Sequence, residues 1–117
     1  MGMIIYWTKK GRFEIEGHPG VELPWNELHR EDGPAFEGAD GTKSWWLNGK
    51  RHRTDGPAFE WANGSKLWFL NGLRHRVDGP AIERADGIKD YWLYGKKVTE
   101  EEFLETTDPV LRKLIWG

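Results

Sequence analysis

Residues 51–73 read RHRTDGPAFEWANGSKLWFLNGL. The same 23-residue unit stands on either side, as LHREDGPAFEGADGTKSWWLNGK at 28–50 and RHRVDGPAIERADGIKDYWLYGK at 74–96. Twelve of the 23 columns are identical in all three copies, and no insertion breaks the period. A strict period of this length marks one supersecondary unit stacked on itself, each copy burying its apolar face against the next. The chain is read as a single domain in three parts: a lead-in (1–27), the repeats (28–96) and a tail (97–117).

Within each unit Gly-Pro-Ala opens a strand, at 34–39, 57–62 and 80–85, with proline where no ladder donor is needed. Asp40-Gly41, Asn63-Gly64 and Asp86-Gly87 read as two-residue type I′ turns. Return strands follow at 42–47, 65–70 and 88–93, and a nine-residue link, Asn48 to Gly56 in the first copy, leads to the next unit. Such a turn fixes the cross-strand pairs. It sets Phe36 against Trp45 and Pro34 against Leu47, with Phe59/Trp68, Pro57/Leu70, Ile82/Tyr91 and Pro80/Leu93 in the later copies. That apolar stripe is the expected core. The opposite face, with Ala35/Trp46, Ala58/Phe69 and Ala81/Trp92 beside Glu37, Glu60 and Glu83, is expected to be partly covered.

Ahead of the repeats, 3–8 and 12–16 read as strands around Lys9-Lys10-Gly11, and 21–27 as a degenerate first unit. Behind them, Thr99-Glu100-Glu101-Glu102 is a capping box that starts a helix at Glu100. Asp108-Pro109 is a second helix start, with 110–116 continuing it. The tail is expected to fold over the last hairpin and cover its open edge. The expected fold is all-β, an antiparallel meander of about eight strands built from stacked hairpins with a helical C-terminal cap.

Composition agrees with this reading. Of 117 residues 14% are aromatic, eight of them Trp, while hydrophobic residues total only 38%. The rings must therefore supply much of the buried area. Fifteen Gly and six Pro suit a chain of many tight turns. Absence of Cys excludes disulfides and thiolate chemistry and fits a reducing cytoplasm. No apolar run approaches the ~20 residues of a membrane span. MGMIIYWTKKG is too short in apolar residues, and lacks the basic leader, for a signal peptide. Net charge is −2 with both signs interspersed, so no segment has the basic character of a nucleic-acid-binding surface.

The string NGKRHRTDGPAFEWANGSKLWFLNG resembles the MORN repeat, another 23-residue hairpin unit. Asn48-Gly49-Lys50, His52 and Asn63-Gly64 fall on positions of that family's pattern. Arg53-x-Asp55-Gly56-Pro57-Ala58 replaces its Gly-x-Gly. This His-Arg-x-Asp-Gly-Pro-Ala form looks like a variant found in small phage and bacterial proteins. The resemblance implies a non-enzymatic scaffold or binding module and leaves its ligand unnamed.

His29, His52 and His75, each followed by arginine, invite a metal-site reading. Equivalent residues in successive repeats lie about 9–10 Å apart, whereas zinc-ligand nitrogens converge within roughly 4 Å. A residue present in every layer more simply does a structural job in every layer. The expected job is closing the link, through Arg30 with Asp32, Arg53 with Asp55 and Arg76 with Asp78, while the histidines pack on their neighbours. No nucleophile elbow, phosphate loop or paired-carboxylate motif is present, so neither catalysis nor a cofactor or metal is expected.

The variable columns bear on ligands. Gly38, Trp61 and Arg84 occupy one column, which the two-residue turn sets opposite Lys43, Lys66 and Lys89. A ring between cations suits a flat anion such as a nucleotide. The competing and preferred reading is that Trp61 extends the apolar stripe and the lysines snorkel over it. Extended nucleic acid fits poorly, since the ~10 Å layer pitch does not match a ~3.4 Å base rise. The sequence thus points to a cytoplasmic binding module with a protein partner. With the resemblance, it points to a phage-encoded modulator that inhibits or sequesters a bacterial host component. A nucleotide-sequestering protein built on Trp61, Lys66 and Arg84 is the second reading, and a self-associating structural subunit the third.

Overall fold

The computed structural model describes residues 2–107. They form an elongated array of antiparallel hairpins, 57 × 29 × 20 Å, closed at one end by a short helix. The N-terminal hairpin pairs β1 (Met3–Thr8) with β2 (Gly11–Glu16) through the Lys9-Lys10 turn. A single 3-10 turn, Trp25–Glu27, follows. Each repeat then contributes two hairpins rather than one.

In the first repeat, β3 (Phe36–Glu37) and β4 (Lys43–Ser44) make one hairpin, and β5 (Trp46–Leu47) and β6 (Lys50–Arg51) the other. The second repeat copies this with β7 (Phe59–Glu60), β8 (Lys66–Leu67), β9 (Phe69–Leu70) and β10 (Leu73–Arg74). In the third, β11 (Ile82–Glu83) pairs with β12 (Lys89–Leu93), which runs on without a break to pair with β13 (Lys96–Val98). The first hairpins and the two end hairpins form a nine-stranded sheet in the order β13-β12-β11-β8-β7-β4-β3-β1-β2. The β5–β6 and β9–β10 hairpins form two separate two-stranded sheets. The meander expected from the sequence is therefore doubled, because the nine-residue link is itself half hairpin.

The glycine dipeptides explain the difference. Both residues of Asn48-Gly49 have positive φ, 51° and 76°, as a type I′ turn requires. Asn71-Gly72 and Tyr94-Gly95 do the same. At Asp40-Gly41 only the glycine is left-handed, at 94°. Gly41 N–H donates to Gly38 O (3.1 Å) and Gly38 N–H to Thr42 O (2.8 Å), which closes a three-residue loop. The Asp40 carboxylate accepts Thr42 N–H at 2.9 Å, a local bond that favours this longer turn and holds the carboxyl below its ordinary pKa.

One extra loop residue slips the register by one, and a slip of one exchanges the faces. Phe36 lies opposite Ser44, Phe59 opposite Leu67 and Ile82 opposite Asp90, not Trp45, Trp68 and Tyr91 as expected. The face expected to be partly covered is the buried one: Ala35, Ala58, Ala81, Trp46 and Phe69 are all buried. The alanines mark the seams, where backbone hydrogen bonds join neighbouring repeats and the side chains are fully buried. Ala58 O accepts Trp45 N–H at 2.7 Å and Ala81 O accepts Trp68 N–H at 2.8 Å. Ala35 O accepts Trp7 N–H at 2.8 Å, so β1 serves as the return strand of a truncated repeat ahead of the first.

The capping box is present. Thr99 N–H donates to Glu102 Oε1 (3.0 Å) and Glu102 N–H to Thr99 Oγ1 (3.1 Å), starting α1 (Glu100–Thr107). Phe103 is buried, its ring 4.7 Å from that of Tyr91 on β12. The second helix start, at Asp108-Pro109, lies outside the described residues. No helix among the described residues is long and apolar enough to cross a membrane.

Candidate functional site

The His-Arg-x-Asp-Gly-Pro motif folds the same way in every copy. Arg53 Nε donates to Asp55 Oδ1 (3.1 Å) and Nη1 to Pro57 O (3.0 Å), while its guanidinium lies 3.8 Å from the Trp45 ring. Arg30 repeats this with Asp32, Pro34 and Trp7, and Arg76 with Asp78, Pro80 and Trp68. Each histidine serves a turn. Nδ1 of His29, His52 and His75 accepts the N–H of Asn48, Asn71 and Tyr94 at 2.9–3.0 Å, at the first residue of each type I′ turn. That bond requires an unprotonated Nδ1. Among the described residues no three His, Asp or Glu converge as a metal site.

The Trp61–Lys66–Arg84 grouping changes with the register. Trp61 N–H donates to Ser65 O, and Lys66 lies opposite Glu60, so alternation sends Trp61 and Lys66 to opposite faces. Lys43, Lys66 and Lys89 sit in a cross-strand ladder of alternating sign: Glu37, Lys43, Glu60, Lys66, Glu83, Lys89. Arg84 turns to Asp86 in its own loop, at 2.8 Å. Trp61 lines a groove.

That groove has a volume of about 560 Å³ and is walled by Trp25, Phe36, Trp46, Phe59 and Trp61. Asp40, Thr42 and Arg51 complete its lining. Trp25 and Trp61 are 42% and 44% exposed, unusual for so large an apolar side chain. Trp61 stacks on Phe59 (5.4 Å), and Trp25 leans on Phe36 (5.5 Å) and Trp46 (5.8 Å). The Trp46 indole N–H is held by Ser44 Oγ at 2.8 Å, which fixes the ring. No protein-family model, curated protein or solved structure matches the chain.

The groove's cation, Arg51, belongs to a column that carried no weight in the sequence. Its first position reads Leu28, Arg51, Arg74 and then Lys97. Arg51 lies opposite Trp46, Arg74 opposite Phe69 and Lys97 opposite Trp92. The Arg51 guanidinium is within 5.0–5.4 Å of the Trp46, Phe59 and Phe69 rings, and Arg74 is 4.8 Å from Trp92. Burial against the rings, followed by the like charge of Arg74, lowers the Arg51 pKa from its ordinary value. Lys97 has a carboxylate partner, Asp90, at 3.4 Å. In the two earlier copies the position of Asp90 holds Ser44 and Leu67. Neither Arg51 nor Arg74 forms an ion pair with a carboxylate among the described residues.

Proposed function

We propose that this chain is a non-enzymatic binding module that holds an extended segment of a partner protein in the aromatic groove. The observation that carries the reading is the pair of exposed indoles, Trp25 and Trp61, lining an open channel together with Trp46 and Phe59. Apolar rings in contact with water cost free energy that a bound segment recovers, at ~25 cal/mol per Å² of apolar surface covered. The channel crosses from the 3-10 turn through the first repeat into the second, a course that suits an elongated occupant. The resemblance of the repeat to MORN units supports a scaffold-like role. Its phage variant adds the reading that the partner is a bacterial host protein, inhibited or sequestered by the chain. The histidine and arginine of the motif are engaged in supporting the repeat.

Native mass spectrometry of the gently purified chain tests this against the other two readings. The expected species is a complex with one polypeptide, lost in a folded Trp25→Ala/Trp61→Ala variant. A nucleotide-sized adduct would favour small-ligand sequestration. A dimer unaffected by the substitutions would favour self-association through another surface.

A further inference from the structure

Building on that reading, we infer that Arg51, which lines the groove, and Arg74, which meets the same Phe69 ring one repeat on, are its anion receptors. Their occupant is an acidic polyproline-II segment of the partner protein, with carboxylates three residues apart. Three features converge on this chemistry. The first is the internal comparison: the third repeat neutralises its equivalent cation with Asp90, while the first two place Ser44 and Leu67 there. Two guanidiniums are thus left on the same aromatic surface, sharing the Phe69 ring, with their charge unanswered by the described residues. Like charges brought together on an apolar surface oppose the fold, and an external carboxylate relieves both the repulsion and the lost hydration.

The second is spacing. Arg51 and Arg74 are equivalent residues one repeat apart, and the main sheet advances by two strands, ~9.6 Å, per repeat. A polyproline-II chain turns once every three residues and rises ~9.3 Å in doing so. Every third side chain then projects from the same edge, and a Glu-x-x-Glu segment meets both arginines without bending. A β-strand does not achieve this, because residues three apart point to opposite faces. The third is the lining. Open channels walled by aromatic rings suit the ridged surface of proline-containing segments, whose extended form is set before binding and costs little entropy to fix. A guanidinium fork matches a carboxylate bidentately, which the lysines of the Glu–Lys ladder cannot do.

The test uses fluorescein-labelled (Glu-Pro-Pro)4, its isosteric (Gln-Pro-Pro)4 partner and labelled ATP, titrated by fluorescence anisotropy at low and moderate salt. The acidic peptide is expected to bind, more weakly as salt rises, and at least about tenfold tighter than the glutamine peptide. Arg51→Gln and Arg74→Gln remove the charge, keep part of the aliphatic stem and a polar end, and leave no carboxylate unpaired. Each should reduce affinity several-fold in a chain that still unfolds cooperatively, whereas Arg84→Gln, outside the groove, should leave affinity unchanged. Leu67→Asp places a carboxylate where the third repeat carries Asp90 and should weaken binding with both arginines intact.

Equal binding of the two peptides overturns the charge assignment and leaves the aromatic groove standing. Binding of ATP through Arg51 with neither peptide bound overturns the peptide occupant in favour of a nucleotide. Failure of all three probes, on a chain whose melting is normal, overturns the proposal. The native mass measurement decides separately whether the chain carries a protein partner at all.

Discussion

Replacing Arg53 by alanine and, separately, Asp55 by alanine should give very unequal losses of stability. The two side chains form an ion pair at 3.1 Å, but Asp55 is 84% exposed. A solvated pair of this kind contributes no more than about 1 kcal/mol. Arg53 is only 23% exposed and does more. It donates to Pro57 O at 3.0 Å, a charge-assisted bond worth about 1.5–3 kcal/mol. It also covers the Trp45 ring at 3.8 Å, worth about 0.5–2 kcal/mol. These terms overlap, so Arg53→Ala should cost about 2–4 kcal/mol and Asp55→Ala less than about 1 kcal/mol. Urea unfolding followed by circular dichroism gives both values, and the double variant completes the cycle. A coupling below about 1 kcal/mol is expected. If Asp55→Ala proved as damaging as Arg53→Ala, the ion pair would hold the link, and the role given to the ring and the carbonyl would be wrong.

Three further outcomes follow from the turns and the histidines. Gly41→Ala should cost about 1 kcal/mol, since only its positive φ is at stake and a Cβ there meets nothing. Gly49→Ala should cost several times more, because the added Cβ overlaps the Asn26 carbonyl; equal melting temperatures would contradict this. Ser44→Ala should cost about 1–3 kcal/mol by stranding the buried Trp46 indole N–H, and unchanged urea unfolding would show that this bond carries no weight. Burial lowers the His75 pKa below 6.5 in the folded chain, so the unfolded chain binds the proton more readily. The His75 contribution to stability is therefore present above pH 6.5, is lost as pH falls from there toward the depressed folded value, and levels off below it. A pH series should show a smaller acid loss in His75→Asn than in the parent chain. An identical slope would remove His75 from the explanation.

The period, the all-β class and the capping box at Thr99 were legible because each rests on local chemistry: identical columns, paired glycine turns, a Thr-x-x-Glu spacing. The face buried in each repeat was not. Asp40-Gly41 and Asn48-Gly49 look alike as dipeptides, yet one closes a three-residue loop and the other a type I′ turn. The distinction lies in the Asp40 carboxylate, which accepts Thr42 N–H and lengthens the loop by a residue. That residue carried Trp46 and Phe69 inward and separated Trp61 from Lys66. A signal was present in the sequence: the column of Ala35, Ala58 and Ala81, identical in every copy, falls on the buried face. The groove was hidden for another reason. Trp25 belongs to the degenerate lead-in, and Arg51 became informative only when the Asp90–Lys97 pair of the last repeat showed what the earlier copies lack.

The indole N–H resonances report directly on which surface binds. Trp25, Trp46 and Trp61 line the groove, while Trp7, Trp45 and Trp68 lie beneath Arg30, Arg53 and Arg76 in the links. In an amide and indole nitrogen–proton correlation spectrum titrated with (Glu-Pro-Pro)4, signals of the first three should shift together and saturate. Those of the second three should stay in place. Shifts confined to Trp45 and Trp68, with Trp25 and Trp61 unmoved, would place binding on the links and contradict the assignment of the groove.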